Sequence, residues 1–235
     1  MIDSLLKILD QVFPNPQPSL RHRSVFELLL AVILSTQCTD ERVNKITPLL
    51  FPKDRPCTPE DILTLGESEV KRIIHPCGYF NSKTKAIMGC AVAIQVRGGG
   101  VPSNFSELTS LPGVGAKTAQ VIQSQWYKLP AFPVDTHIHR VCNRLGIANS
   151  GTNRDKTERQ VKAAVPRERW SKLHLQLIFH GRKTCTAYKP KCQACPLYEL
   201  CQWPDKRLFM PLRVMTTSPN RNDQDKNQDR PPKDC

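Results

Sequence analysis

The chain lacks any long hydrophobic run, and this absence argues against a membrane-spanning protein. Among its 235 residues the longest apolar stretch is Leu28 to Leu34, which is too short to cross a bilayer and suits a buried helix. Glycine and proline, with 11 and 20 residues, are too few for a fibre. Asp3 and Lys7 interrupt the apolar segment that a secretory signal needs. We therefore expect a protein of a reducing, cytoplasmic compartment with no membrane role.

Alternation of apolar and polar residues, the pattern of strands, is also nearly absent. Apolar residues instead recur at helical spacing, and short connectors rich in Pro, Gly, Asn or Ser separate the segments, so the predicted fold class is all-α. From Pro204 onward polar residues dominate, which predicts a disordered tail over residues 204–235. The predicted helices are Ile2 to Val12, Phe26 to Leu34, Val43 to Leu50, Pro59 to Leu65, Val70 to Ile74, Lys83 to Val96, Phe105 to Leu111, Ala116 to Tyr127, Thr136 to Leu145 and Leu173 to Phe179.

Acidic residues are in deficit relative to basic ones. The chain has 34 Lys and Arg against 21 Asp and Glu, a formal net charge of +13. A polyanion such as nucleic acid is the natural partner for this excess. Charge alone leaves the partner open, because many basic proteins bind no nucleic acid.

Four of the ten cysteines, Cys185, Cys192, Cys195 and Cys201, fall within 17 residues in a C-x6-C-x2-C-x5-C pattern. Clustered cysteines in a reducing compartment are more often metal ligands than disulfides. A [4Fe-4S] cluster is favoured, since zinc sites usually pair two short C-x(2 to 4)-C knuckles, but structural zinc and unligated thiols remain alternatives. The other six cysteines are interpreted as buried or tolerated thiols: Cys38, Cys57, Cys77, Cys90, Cys142 and Cys235.

A glycine-rich turn joins two amphipathic segments in the sequence LPGVGAKTA, which begins at Leu111. Gly113, Val114 and Gly115 would form a tight hairpin. Backbone N–H groups at the start of the following helix could then bind a phosphate without reading sequence. An ordinary turn between helices is the alternative.

Two residues near this turn are candidates for catalysis. Lys117 falls in the first turn of the second helix, where the helix dipole disfavours an ammonium ion and favours the nucleophilic amine. Asp135, in the sequence PVDTHIHR, directly precedes a helical segment and could simply cap it. Beside an amine, its carboxylate could also accept a proton or stabilise an oxocarbenium-like sugar, although its charge opposes the dipole effect on the lysine. Contact of Lys117 with a DNA phosphate is the simpler alternative.

Together the glycine hairpin with its lysine, the VDTH aspartate and the cysteine pattern resemble the helix-hairpin-helix DNA glycosylases of the endonuclease III family. LSTQCTD from Leu34, GYFNSK from Gly78 and HGRKTC from His180 extend the resemblance, which covers about residues 1–203. It implies two helical domains with DNA in the cleft between them. One is the continuous helix-hairpin-helix domain of residues 20–129, and the other combines residues 1–19 with 130–203 and carries the cluster.

The resemblance also implies an activity and assigns roles. The family enzymes flip the target nucleotide out of duplex DNA, because C1′ cannot be reached inside the stack. Lys117 matches the nucleophile that attacks C1′, and Asp135 matches the assisting carboxylate. The expected function is therefore a bifunctional glycosylase and abasic-site β-lyase that removes oxidised pyrimidines in base excision repair. A monomer would suffice, since one chain supplies the whole cleft.

The resemblance further implies DNA contacts outside the reacting centre. Gln37 stands at the position of a side chain that fills the hole left by the flipped base, and its amide can hydrogen-bond the orphaned partner. Tyr79 takes the second wedge position, where many bacterial members have leucine; a ring could stack there, and a core aromatic is the alternative. Lys189 and Lys191, between the first two cysteines of the pattern, are candidate phosphate contacts.

Two other readings remain open at this point. A monofunctional mismatch glycosylase of the adenine-removing kind shares the hairpin, aspartate and cluster, but usually lacks a lysine at the Lys117 position. A non-catalytic DNA-binding module, stabilised by zinc, would need only the hairpin and the positive charge.

Overall fold

The computed structural model describes residues 1–209, and within them the chain forms helices and no strand, as predicted. Four short 3-10 helices cover His75–Cys77, Arg167–Arg169, Cys192–Ala194 and Pro204–Phe209. Within these residues no helix is long and apolar enough to cross a membrane. The α-helices are α1 (Ile2–Val12), α2 (Val25–Ser35), α3 (Asp40–Leu50), α4 (Pro59–Ile74), α5 (Phe80–Val96), α6 (Phe105–Thr109), α7 (Ala116–Gln125), α8 (Thr136–Leu145), α9 (Arg154–Ala164) and α10 (Trp170–Lys183).

The structure differs from the sequence predictions in its middle helices. The two helices predicted within α4 form one element that is kinked at Gly66, whose φ of 78° is a left-handed conformation that favours glycine. Helix α9 was not predicted at all. Only Thr157 and Val161 of this helix are buried, so its sequence has almost no apolar stripe to reveal it.

The prediction of a disordered tail was wrong for the first six residues of that tail. Pro204–Phe209 forms a 3-10 helix, and Phe209 stacks on Trp203 with ring centroids 5.6 Å apart. Lys206 Nζ donates to the carbonyl oxygens of Tyr198 and Cys201 at 2.8 and 2.6 Å. These contacts attach the segment to the cysteine-rich region. The remainder of the predicted tail, residues 210–235, lies outside the described part of the chain.

Buried apolar side chains form two separate clusters. The first core draws on residues 26–122 and includes the whole apolar run of α2, which the sequence predicted to be a buried helix. The second core combines Leu5, Leu6 and Leu9 of α1 with residues 132–197. This distribution supports the proposed division of the chain into residues 20–129 and residues 1–19 with 130–203.

Ion pairs join α1 to α10 and connect the two cores. Asp10 of α1 pairs with Arg169 and Lys172 at 2.9 and 2.8 Å. These cations and the amide of Gln176 lower the pKa of Asp10. The N-terminal helix is therefore attached to the C-terminal third of the chain. A separate ion pair connects the two cores across the cleft, between Arg182 of α10 and Asp40 of α3 at 2.6 Å.

Candidate active site and cysteine loop

A cavity between the two cores gathers residues from both. Lys117 of α7 and Asp135, which directly precedes α8, both line it, although 18 positions separate them in the sequence. Asp40 of α3 also lines the cavity, as do His174 and Arg182 of α10. The cavity thus contains an amine and a carboxylate on surfaces supplied by different cores.

The glycine hairpin fixes the position of Lys117. After α6 the chain turns through Gly113, whose φ is 75°, and Val114 packs into the first core while its N–H donates to the carbonyl oxygen of Leu111 at 3.1 Å. Gly115 is the N-cap of α7, so Lys117 is the second residue of that helix. The side chain is exposed at the helix end whose N–H groups have no intrahelical partners.

Asp135 is both the N-cap of α8 and a cavity residue. Its Oδ1 accepts the backbone N–H of Ile138 at 2.8 Å, as the sequence predicted for a cap. Because the carboxylate is only half-buried and lines the cavity, capping leaves it available to a bound molecule. One carboxylate can therefore stabilise the helix and also take part in chemistry.

The four cysteines of the C-terminal loop are free of disulfides. Two of the sulfurs have polar contacts: Arg144 Nη1 donates to Cys185 Sγ at 3.4 Å, and Cys195 Sγ lies 3.8 Å from Nε2 of His180. Burial and the neighbouring thiols raise the pKa of Cys192, and the same causes raise that of Cys195 to about 11.

A zinc ion and a four-iron cluster would need different spacings of these four sulfurs. Zinc would hold four sulfurs roughly 3.8 Å apart, since each Zn–S bond is about 2.3 Å. Within residues 1–209, no three His, Cys, Asp or Glu side chains lie close enough together to hold a single metal ion. Four cysteine thiols free of disulfides are the donor set that a four-iron cluster takes.

Comparison with known proteins agrees with this geometry. A family model described as "HhH-GPD superfamily base excision DNA repair protein" matches residues 30–167, and one described as "Iron-sulfur binding domain of endonuclease III" matches residues 185–201. Endonuclease III of Bacillus subtilis (strain 168) is 41% identical over 207 residues, covering 88% of this chain and 94% of that protein. The chain belongs to the endonuclease III family.

Solved structures of the family match over the same span. A non-covalent endonuclease III–DNA complex superposes with a TM-score of 0.82 at 39% identity, covering 88% of this chain and 96% of the other. A trapped endonuclease III–DNA covalent intermediate gives 0.81 at 39% identity, with 88% and 97% covered. The predicted two-domain helix-hairpin-helix glycosylase fold and the predicted [4Fe-4S] cofactor are confirmed, and the zinc alternative was wrong.

In this member of the endonuclease III family, two arginines of α8 hold the cysteine loop. Arg140 donates to the carbonyl oxygens of Gly181 and Cys185 at 2.9 and 3.1 Å. Arg144 donates to those of Thr186 and Ala187 at 2.8 and 3.1 Å, and its guanidinium lies 3.9 Å from the ring centroid of Trp203. Sequence reasoning missed both arginines, because they follow the VDTH motif without a pattern that connects them to the cysteines.

The wedge candidates of the endonuclease III resemblance share an unusual backbone. Gln37 and Tyr79 have φ values of 52° and 48°, in the left-handed region, and both side chains are exposed. Tyr79 is 65% exposed, so the alternative of a core aromatic is wrong. Non-glycine residues in this region cost roughly 1 to 2 kcal/mol, which the surrounding structure has to offset. Lys189 and Lys191 are exposed as well, on the loop that the arginines hold.

His174 lines the cavity from α10. Its Nδ1 must donate to the carbonyl oxygen of Pro133, 2.9 Å away, because that oxygen can only accept. Burial lowers its pKa to about 4, so the ring is neutral at physiological pH. Within the described residues its Nε2 has no hydrogen-bond partner. The histidine thereby fixes the segment that leads to Asp135.

The pKa of His174 predicts a loss of stability in acid. Its folded pKa of about 4 lies below the 6.5 of an unperturbed histidine, so the unfolded chain binds the proton first. The resulting contribution of His174 to the free energy of unfolding amounts to roughly 3 kcal/mol. It is complete above about pH 6.5 and is lost as the pH falls toward 4. We expect the free energy of unfolding in urea to fall less steeply over this range in His174→Gln than in the wild type. Parallel curves for the two proteins would contradict the assignment.

A substitution at Gly113 should disturb the hairpin, whereas the same change at Gly115 should not. A Cβ at Gly113 would lie 2.4 Å from the Cβ of Ala86 on α5, and its φ of 75° disfavours any side chain. We expect Gly113→Ala to lower the free energy of unfolding by about 2 to 4 kcal/mol. Gly115→Ala is the matched control, because its Cβ would meet open space, and it should cost about 1 kcal/mol or less. Urea unfolding of both variants measures the difference, and equal losses would contradict the packing argument.

Proposed function

We propose that this chain is a bifunctional DNA glycosylase and abasic-site β-lyase that removes oxidised pyrimidines from duplex DNA in base excision repair. The observation that carries the proposal is the shared cavity of Lys117 and Asp135 between the two cores. A match at 39% identity to a protein trapped as a covalent DNA intermediate supports a covalent route. The alternative of a non-catalytic module explains neither the amine nor the carboxylate.

The reaction follows from these two groups. The neutral amine of Lys117 attacks C1′ of the flipped nucleotide, the glycosidic bond breaks, and the damaged base leaves with its bonding electrons. Asp135 balances the positive charge that develops on the sugar and accepts a proton from the lysine nitrogen. The C1′–O4′ bond of the sugar then breaks, O4′ takes up a proton, and the iminium that results acidifies the C2′ hydrogen. Loss of that proton breaks the C3′–O bond and cuts the strand 3′ to the lesion, after which water releases Lys117.

DNA binding rests on residues around the cavity. A backbone phosphate of the DNA would bind at the turn formed by Gly113, Val114 and Gly115. Lys189 and Lys191 of the cysteine loop would bind other phosphates. Gln37 and Tyr79 would enter the duplex where the flipped nucleotide leaves. The affinity should fall steeply with salt, as phosphate contacts require. Because one chain carries all these residues, we propose that it acts as a monomer, in the cytoplasm.

The four cysteines Cys185, Cys192, Cys195 and Cys201 would hold the [4Fe-4S] cluster, which supplies a covalent crosslink for the loop when bound. Arg140 and Arg144 attach the same loop to α8, whose first turn is capped by Asp135. The cluster region thus supports the position of the DNA-contacting lysines, and no reaction step passes through it.

Borohydride trapping tests the proposal on two duplexes, one with a thymine glycol and one with an abasic site. Covalent complexes on both are expected, because reduction captures the Schiff base after base release and also on an existing abasic site. Trapping at the abasic site alone would support the lyase activity but exclude oxidised pyrimidines as the substrate. If neither duplex is trapped, a monofunctional glycosylase or a binding module replaces the proposal.

A further inference from the structure

A buried lysine of α5 takes no part in the chemistry described above. Lys83 is only 5% exposed, and its Nζ donates to the carbonyl oxygens of Leu34 and Cys77, each at 2.9 Å. Leu34 lies in the last turn of α2, and Cys77 ends the 3-10 helix that precedes α5. Carbonyl groups at the end of a helix have no intrahelical partners, so the lysine satisfies one such group at each of two helix ends.

Burial of a lysine without an acidic partner costs free energy that an apolar side chain would avoid. Within residues 1–209, Lys83 forms no salt bridge. Burial lowers its pKa, because an ammonium ion loses hydration in the interior. An apolar side chain of the same length would leave two buried carbonyl groups unpaired. The lysine therefore fixes the separation of two helix ends that an apolar residue would leave independent.

Both helix ends lead directly to a wedge candidate. Gln37 comes three positions after Leu34 in the chain. Tyr79 comes two positions after Cys77 and is the N-cap of α5. The carbonyl oxygen of Tyr79 accepts the backbone N–H of Lys83 at 3.0 Å. The side chain of Lys83 thus holds the chain ahead of each wedge candidate, and its backbone also binds Tyr79 itself.

We propose that Lys83 is a positioning residue that couples Gln37 to Tyr79, so that the two side chains enter the duplex as one unit. The inference rests on the proposed function, because entry of these side chains matters only where a nucleotide is flipped. With both helix ends bound to one nitrogen, neither wedge candidate shifts without the other. Ordering the two in advance reduces the conformational entropy that is lost on binding distorted DNA. Because Lys83 is buried, it acts through these residues rather than by touching DNA.

Replacing Lys83 with methionine removes the N–H donors and retains the length of an unbranched side chain. We expect Lys83→Met to bind duplex with a tetrahydrofuran abasic analogue about tenfold more weakly, because the wedge candidates no longer move together. Affinity for undamaged duplex should stay within about twofold of the wild type, since phosphate contacts dominate it. Fluorescence of 2-aminopurine beside the abasic analogue reports unstacking, and its rise at saturating protein should be smaller in the variant.

Ile94→Ala is the matched control for lost stability. Ile94 is fully buried on the same helix, about three turns beyond Lys83. Its truncation leaves a cavity and should lower the urea midpoint, yet the preference for abasic over undamaged duplex should equal that of the wild type. If Ile94→Ala loses this preference as Lys83→Met does, or if Lys83→Met weakens binding to both duplexes equally, the role of Lys83 is only structural and the proposal is overturned.

A double-mutant cycle measures the coupling itself. Gln37→Ala and Tyr79→Ala are made singly and together, first with Lys83 present and then with Lys83→Met. With Lys83 present, the double variant should lose little more affinity for the abasic duplex than the weaker-binding single variant. With Lys83→Met the two fold-losses should multiply, as they do for independent sites. Lys83→Gln, which retains an amide donor, replaces Lys83→Met if methionine prevents folding, and should reduce the coupling. Losses that multiply even with Lys83 present overturn the proposal, and so does a coupling that survives its replacement.

Borohydride trapping of the same proteins separates this inference from the proposed function. Lys117 and Asp135 are unchanged in Lys83→Met, so the variant at saturating concentration should still be trapped on the abasic duplex. If the wild type is trapped on neither the abasic nor the thymine glycol duplex, the proposed function fails. If the wild type is trapped and the cycle shows no coupling, only the role of Lys83 fails.

Discussion

Replacing Lys117 with alanine should reduce borohydride trapping to background on both the thymine glycol and the abasic duplex. The covalent complex needs a primary amine within reach of C1′, and Lys117 lines the same cavity as Asp135. Replacing Lys117 with alanine should not destabilise the fold. The substitution removes a cation from the positive end of α7 and introduces a better helix former. Together these changes should raise the free energy of unfolding by about 0.5 kcal/mol. Gel analysis after reduction measures trapping, and urea unfolding measures stability.

Lys156→Ala is the matched control for this experiment. Lys156 is also an exposed lysine in the first turn of a helix, α9, but it does not line the cavity. Its replacement should leave trapping unchanged. Affinity for tetrahydrofuran duplex should fall only a few-fold in Lys117→Ala, because one of many cationic contacts is lost. Trapping that persists in Lys117→Ala would assign the nucleophile to another amine.

The helices were predictable wherever burial leaves a stripe of apolar residues. Helix α2 is buried along its apolar run, and its boundaries differ from the prediction by one residue at each end. Helix α9 has no such stripe, because most of its surface faces solvent, and it depends on the Asn153 cap and on a few contacts from α8. Tertiary contacts rather than local pattern determine whether such a segment is helical.

The candidate site was predictable only where a motif marks it. Lys117 and Asp135 were identified from the hairpin and the VDTH sequence, and the fold brings both to one cavity. His174 and Arg144 are equally well placed, yet each depends on contacts with residues 41 positions away, which no local spacing reveals. The left-handed backbone at Gln37 is likewise a property of the folded chain, since glutamine has no local preference for it. Geometry of this kind had to come from the structure.

Asp135 joins two roles that a single substitution can separate. As the N-cap of α8 it accepts the N–H of Ile138, and asparagine caps helices about as well as aspartate. Asp135→Asn should therefore retain the cap and lose only the charge, costing about 1 kcal/mol or less of stability. Asp135→Ala loses both, and the missing cap should cost about 1 kcal/mol more. The stability of α8 matters beyond the cavity, because Arg140 and Arg144 attach the cysteine loop to this helix.

Base release from thymine glycol duplex should slow by about 100-fold to 10,000-fold in Asp135→Asn, because the carboxylate no longer accepts a proton or balances charge on the sugar. Affinity for tetrahydrofuran duplex should change little or rise slightly, since a negative charge near phosphate is removed. Single-turnover kinetics with urea unfolding on the same samples measures both effects. If base release depended only on the helix cap, Asp135→Asn would release the base at close to the wild-type rate and only Asp135→Ala would be slow. Similar losses in the two variants, despite their different stabilities, would assign catalysis to the charge of Asp135 rather than to its support of α8.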